Sequence, residues 1–224
     1  MSKQGMGQIM AGTTRLTQKA KDDIRRDGTD TLPAGLVDLV ARAGSGRTTP
    51  PVERWNPPFC GDIDMRISAD GRWHYLGSPI GRERLVRLFA SVLRRDEDGR
   101  HYLVTPVERI GIAVDDAPFL AVELFAEGEG SDRVMTLRTN VGDVVRVDAD
   151  HPLRFAAEPE TGGLKPYVTV RGRLEALFSR PLLHQLADML EEDPETPGRL
   201  GVWSGGAFFP VPAEVAAPDA EKAT

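Results

Sequence analysis

The chain has 224 residues, with 28 Lys+Arg against 34 Asp+Glu, four His and one Cys, and 40% of it is hydrophobic. That length holds one large domain or two small ones with real cores, and a net charge of −6 argues against general attraction to nucleic acid or to an anionic membrane. The lone Cys60 excludes an internal disulfide, a paired-cysteine zinc site and CxxC redox chemistry, and so points to a reducing, cytoplasmic compartment.

Residues 1–50 read as a polar N-terminal segment. Met1 to Lys21 has no continuous apolar core and gives no secretory signal, and the mixed-charge run Lys19–Asp27 carries too little apolar surface to repay its ordering. Leu36, Val37, Leu39 and Val40 then place apolar groups on one face of a short helix after Pro33, stopped by Ala43-Gly44-Ser45-Gly46. A Pro-rich stretch, Thr48 to Pro58, leads into the body. Ile63, Met65 and Ile67 alternate with Asp62, Asp64 and Arg66, which is a strand with one apolar face, and Asp70-Gly71 predicts a hairpin turn after it.

Ser78-Pro79 has the chemistry of a helix start, and Leu85, Leu88, Phe89, Val92 and Leu93 follow the spacing of a single helical stripe. Strand Tyr102-Leu103-Val104 follows. Val107–Val114, Phe119–Phe125, Arg133–Thr139 and Val144–Val147 read as an antiparallel meander, broken by Asp115-Asp116-Ala117-Pro118, a Gly/Glu-rich turn and Asn140-Val141-Gly142-Asp143. A second helix carries Leu182, Leu183, Leu186, Met189 and Leu190, and Leu200–Trp203 reads as a strand. The stretch Leu200–Ala213 is uncharged, but its glycines and prolines and its length fall short of the about 20 apolar residues a bilayer span needs. Pro210 to Thr224 reads as a tail.

Asp70-Gly71-Arg72-Trp73-His74-Tyr75-Leu76-Gly77-Ser78-Pro79-Ile80 aligns with Arg171-Gly172-Arg173-Leu174-Glu175-Ala176-Leu177-Phe178-Ser179-Arg180-Pro181-Leu182, with one inserted arginine. Each copy runs into a helix and then, through Gly99-Arg100 or Gly198-Arg199, into an apolar strand. The pattern predicts an α+β protein in two small lobes of mixed sheet, built from a duplicated strand-strand-helix-strand unit with the meander between the copies. The expected divisions are 1–50, 51–114 for the first lobe, 115–212 for the meander and second lobe, and 213–224 as a disordered tail.

Several ordered blocks carry a resemblance. Trp55-Asn56-Pro57-Pro58, Cys60-Gly61-Asp62-Ile63-Asp64-Met65-Arg66-Ile67, Gly77-Ser78-Pro79-Ile80-Gly81-Arg82, Leu103-Val104-Thr105-Pro106-Val107-Glu108, Asp116-Ala117-Pro118-Phe119, Thr139-Asn140-Val141-Gly142-Asp143, His151-Pro152-Leu153-Arg154, Pro166-Tyr167-Val168-Thr169-Val170-Arg171 and Gly201-Val202-Trp203-Ser204 together resemble the uncharacterised bacterial family catalogued as domain of unknown function 1285. The resemblance covers roughly Pro51 to Val211. It implies two α/β lobes with repeated motifs and a role in ligand binding or signalling, and it carries over no catalytic residue.

Asp62 and Asp64 share one strand face, as a cation site would require, but Arg66 on that face neutralises them without metal. No HExxH, G-x-S-x-G or phosphate-loop spacing occurs, so no metal and no cofactor is expected. Asp148-Ala149-Asp150-His151 with Arg154 is the densest group of reactive side chains. Its bland reading, a capped turn before Pro152, outweighs an acid/base role for His151 with Arg154 or Arg171 holding an anionic substrate. Arg82 falls within the apolar stripe and calls for an acceptor such as Asp62 or Asp64; otherwise it becomes an anion holder. With His151, Arg154 and Arg171, the strand aromatics Trp73 and Tyr75 and Arg82 form the ligand-binding candidates.

Arg84, Arg87, Arg94 and Arg95 fall opposite the apolar stripe of the first helix, and Asp188, Glu191 and Glu192 take the polar side of the second. Arg84, Arg87 and Arg94 are therefore candidates for an acidic protein partner, a second copy included. The expectation is a cytoplasmic binding module for a small molecule or protein, in the groove between the repeats, favoured over an enzyme and with neither nucleic acid nor membrane as partner.

Overall fold

The computed structural model describes residues 32–42, 50–158 and 161–213. The charged run of residues 19–27, the glycine-rich stop after Arg42 and nearly all of the expected tail lie outside them. The described chain divides into two compact units: residues up to Ser68 with Arg72–Asp115, and Ala69–Gly71 with the residues from Asp116 onward.

In the first unit, β1 (Phe59–Ile67), β2 (Trp73–Tyr75), β3 (Ser78–Pro79), β4 (Leu93–Arg95), β5 (His101–Val104) and β6 (Arg109–Val114) form one sheet in the order β3-β2-β1-β6-β5-β4. All neighbours are antiparallel except β1 and β6, the first and last strands, which lie parallel at the centre. Since β3 and β4 are opposite edges of this sheet, the chain between them must cross it, and helix α2 (Glu83–Ser91) makes that crossing. Leu85, Phe89 and Ala90 are its buried residues, and the Phe89 ring stacks 6.3 Å from Trp73. Helix α1 (Ala34–Arg42) buries Leu36 and Val40. The carboxylate of Glu108 meets its first turn, accepting a bond at 3.0 Å from the Leu36 N–H, a donor shared with the Pro33 carbonyl. A Cβ on Gly35 would stand 2.3 Å from Glu108 Oε1, so glycine is what admits the carboxylate.

Helix α2 stops sooner than its apolar spacing predicts. Val92 and Leu93 belong to the stripe by period, but Leu93 pairs with Leu103 as a strand residue, because ladder bonds to β5 compete with another helical turn. Ser78-Pro79 pairs with β2 instead of capping the helix, and the residue before α2 is Arg82, extended and without a side-chain cap.

In the second unit, β7 (Phe119–Glu127), β8 (Val134–Thr139), β9 (Val144–Arg146), β10 (Leu153–Ala157), β11 (Leu164–Arg171) and β12 (Leu174–Phe178) form a sheet ordered β10-β11-β12-β7-β8-β9, with β7 and β12 parallel. Read from the β9 edge, this is again third, second, first, sixth, fifth, fourth. Here the crossing is only Val147–Pro152, six residues. A flat sheet of six strands is about 24 Å from edge to edge, which such a connection could span only if fully extended. It contains a turn, closed by Asp148 N–H donating to the His151 carbonyl, so the sheet must curl to bring β9 and β10 towards each other. Helix α3 (Arg180–Ala187) follows β12, burying Leu182 and Leu186, and β13 (Glu191–Glu192), β14 (Leu200–Ser204) and β15 (Ala207–Pro210) make a small antiparallel sheet. Gly205 and Gly206, both with positive φ, form the two-residue turn between its last strands.

Mixed α+β architecture in two sheet lobes thus stands, and three details change. Aligning Gly71 with Gly172 matches β1 to β11 and β2 to β12, yet β1 is central in its sheet whereas β12, not β11, is central in the other. The strands after the helices also differ: β4 and β5 extend the first sheet, while β13 and β14 lie in a separate one. What the lobes share is the order of β1–β6 and β7–β12. The expected meander divides too, since β6 pairs with β5 and β1, leaving β7-β8-β9 as a meander of the second lobe. Pro210 ends a strand and Val211 is buried, so the chain there is part of the fold.

Candidate ligand-binding site

The outer face of the first sheet concentrates aromatic and guanidinium groups where the parallel pair β1/β6 meets β5. Phe59 lies opposite Arg109, Asp62 opposite Gly111, and Tyr102 opposite Gly111 from the other side. In a regular strand, positions 59 and 62 would point to opposite faces. A register shift between them, with Gly61 at φ +98°, resets the alternation so that both reach Arg100.

Phe59 meets Tyr102 edge to face at 6.0 Å and is itself 46% exposed, whereas Tyr102 is buried beneath the group. The Arg100 guanidinium lies 5.8 Å from the Phe59 ring and 5.4 Å from Tyr102; that of Arg109 lies 5.9 Å and 5.0 Å from the same rings. Two cations thus share two aromatic faces, an attraction that strengthens where water is excluded.

Carboxylates hold the parts in place. Asp96 accepts from Arg94 Nε at 2.6 Å and from Arg109 Nη1 at 2.8 Å, while Arg109 Nε is buried without an acceptor. Asp98 accepts from the Tyr102 hydroxyl and from the Arg100 N–H, and those bonds hold it below the usual carboxylate range. The same hydroxyl bond, helped by burial, raises Tyr102, so the phenol remains protonated. Asp62 accepts from Arg100 Nη2 at 2.5 Å and raises the guanidinium further. This last pair is the open end of the network, with side chains 60% and 50% exposed.

The second lobe offers a closed counterpart. Arg154 lies 4.2 Å over the Tyr167 ring and donates twice, at 2.9 Å, to Glu175. The Tyr167 hydroxyl donates to Asp116 at 2.8 Å, and Lys165 pairs with the same carboxylate. Burial first, then Asp116, raises the Tyr167 phenol; Asp116 raises Lys165 and Glu175 raises Arg154. No ring in this group stands out as Phe59 does.

His151, Arg154 and Arg171 all stand on or beside the β10–β11 pair. His151 ends an Asx turn, its N–H donating to Asp148 Oδ1 at 3.0 Å, and its Nδ1 lies 3.2 Å from the Thr169 carbonyl oxygen. Arg154 is bound to Glu175, and Arg171 donates to Asp143 at 2.7 Å, so each arginine has a carboxylate of its own. Trp73 and Tyr75 are core residues, 1% and 4% exposed, because their alternation points them inward, and neither presents a face to a ligand. Asp62 partners Arg100 and Arg66 partners Asp115, and Arg82, expected to pair with Asp62 or Asp64, stands half-buried just before α2.

Arg94 needs the plainest correction. It lies on β4, buried, and donates to the carbonyls of Val52 and Trp55 as well as to Asp96, so it fastens the segment before β1 and offers nothing to a partner. Arg84 and Arg87 are exposed on α2, with Arg87 paired to Glu83 one turn away. Sequence reasoning missed Phe59, Arg100, Tyr102 and Arg109, whose meeting depends on the parallel pairing of strands about 50 residues apart; the one local hint was Gly61 inside an alternating run.

Residues 50–117 match the N-terminal domain of the domain of unknown function family DUF1285, and residues 118–211 match its C-terminal domain. The chain belongs to the DUF1285 family. A crystal structure of a DUF1285 family protein from Silicibacter pomeroyi DSS-3 is similar at 49% identity, covering 77% of this chain and 93% of that one, with a TM-score of 0.72. One from Shewanella baltica OS155 shares 24% identity over 55% of this chain and 90% of its own, with a TM-score of 0.44. No curated protein matches the chain. Among the described residues, no helix is long and apolar enough to cross a membrane, and no group of His, Cys, Asp and Glu has the arrangement of a metal site.

Proposed function

We propose that the protein is a cytoplasmic binding module, serving signalling or regulation, that takes an anionic small molecule or an acidic group of a protein partner on the Phe59–Arg100–Tyr102–Arg109 platform. One observation carries the reading: Phe59 is left 46% exposed beside two guanidiniums that lie over the Tyr102 ring, that of Arg109 held by Asp96 and that of Arg100 by Asp62. Exposed ion pairs contribute little to stability, so an organised set on a sheet face is more readily explained by recognition. Arginine suits that task because its planar fork binds carboxylate or phosphate while stacking on a ring. The exposed thiol of Cys60 supports a reducing compartment.

Purified protein examined by native mass spectrometry before and after denaturation should retain a small molecule or partner, and the double variant Phe59→Ser, Arg100→Gln should lose it while keeping its circular dichroism. Retention unchanged in that variant would move binding away from the platform.

A further inference from the structure

We propose that Asp62 occupies the position of the ligand's own anionic group, so that the platform is closed by an internal carboxylate that a carboxylate attached to an aromatic ring displaces. This rests on the platform being the binding site, and adds the ligand's chemistry and the way it is gated.

The place that Asp62 fills is created by a missing side chain. Gly111 stands in the middle of the platform, between Asp62 on β1 and Tyr102 on β5. A Cβ built there would fall 1.9 Å from Asp62 Oδ1 and 3.0 Å from Arg100 Nη2. The carboxylate and the guanidinium thus meet directly above bare backbone, in a recess that any other residue at 111 would fill. The recess is floored by the sheet, and the rings of Phe59 and Tyr102 lie within reach of the same guanidinium.

Asp62 is the replaceable member of the network. Its side chain is 60% exposed and sits beside the register shift at Gly61, whereas Asp96 is held by two arginines and Asp98 by a hydroxyl and a backbone amide. Swinging Asp62 into water costs only an exposed ion pair. It leaves Arg100 with an open fork above Gly111, and the local balance of Arg94, Arg100 and Arg109 against Asp96 and Asp98 becomes positive by one charge. An incoming carboxylate restores that balance, and a ring carried on it can cover the exposed face of Phe59. The same chemistry comes from a small aromatic acid or from a peptide ending in Phe.

The test is titration calorimetry at low salt with phenylacetate and, separately, with an acetylated Gly-Gly-Phe peptide, using their amides as controls. Asp62→Ala should bind a carboxylate probe about fivefold more tightly than the native chain, the order expected from losing one exposed competing pair. Arg100→Gln and Gly111→Ala should lose binding, the latter because its methyl fills the recess, and the amides should bind to none of them. Which probe binds identifies the source of the carboxylate. Equal affinity of the native chain and Asp62→Ala would overturn the displacement and leave the platform standing. If neither probe binds Asp62→Ala, the carboxylate class is wrong, and whether Phe59→Ser, Arg100→Gln still sheds the natively retained molecule decides the platform separately.

Discussion

The two lobes thread six strands in one order and close the circuit by different means. In the first, thirteen residues separate the edges β3 and β4, and an amphipathic helix carries the chain across the sheet while covering its core. In the second, the six residues Val147–Pro152 suffice because the sheet curls, and α3 enters only after the last strand. A shared strand order therefore does not require shared covering elements: a parallel first and last strand demand a crossing, and either a helix or curvature can supply it.

The largest expected effect breaks the first solution. Phe89 is fully buried on the crossing helix, against Trp73. Phe89→Ala should cost about 3–5 kcal/mol, the usual range for a large core ring, with amide exchange accelerated in β1–β6 first. Equal and simultaneous loss of protection in β7–β12 would show that the lobes unfold as one unit and that the helix is not specific to the first.

A smaller effect separates the lobes by pH. His101 begins β5, pairs with Ile112 and Arg95, and has its pKa lowered to about 4, chiefly by burial and then by Arg95. It is neutral in the fold, whereas the unfolded chain takes up a proton below about 6.5. The stabilisation is complete above that pH and is lost as the pH falls from about 6.5 to about 4, by roughly 2–3 kcal/mol once solvent screening is allowed for. Denaturant titrations at pH 7, 5.5 and 4.5 should show that slope, and His101→Gln should flatten it. An unchanged slope in the variant would show that His101 does not carry the acid sensitivity of this window, since Asp98, whose pKa is lowered, acts at more acidic pH.

Local pattern made some of this legible. The alternation through Ile67 is β1, and the apolar spacing from Leu85 to Phe89 is α2, because burial on one face writes a period of 2 or 3.6 into the chain. The same spacing ran on through Leu93, since two more apolar residues suit a helix or a strand equally well, and only the partner strand at Leu103 decides. A helix continued through Leu93 places Arg94 on an exposed face, whereas on β4 it is buried. The aligned Gly-Arg turns were misleading for a related reason: similar turns recur wherever hairpins do, whereas strand order is a property of long-range pairing. Phe59 and Arg109 are neighbours only through a parallel pair, which no local period encodes.

The smallest effect sharpens the second solution. Ser204 is fully buried in the turn-bearing strand β14, and its hydroxyl donates to the Val147 carbonyl at 2.7 Å while accepting from the Met135 N–H at 2.9 Å. Val147 opens the six-residue crossing and Met135 lies on β8, so one hydroxyl ties the small sheet to the point where the chain leaves the curled one. Neighbouring bonds run the same way: the Gly205 N–H donates to the Arg133 carbonyl, and the Arg133 side chain donates to the Met189 carbonyl and to Glu191. Ser204→Ala would leave a buried donor and a buried acceptor without their partner at almost no change in volume, a loss of about 1–2 kcal/mol. Exchange should quicken at Met135 and through β8–β9 while β1–β6 keep their protection. If Ser204→Ala is neutral, the curl is maintained by the apolar faces of β7–β12 alone, and the small sheet is an attachment to the crossing and not its fastening.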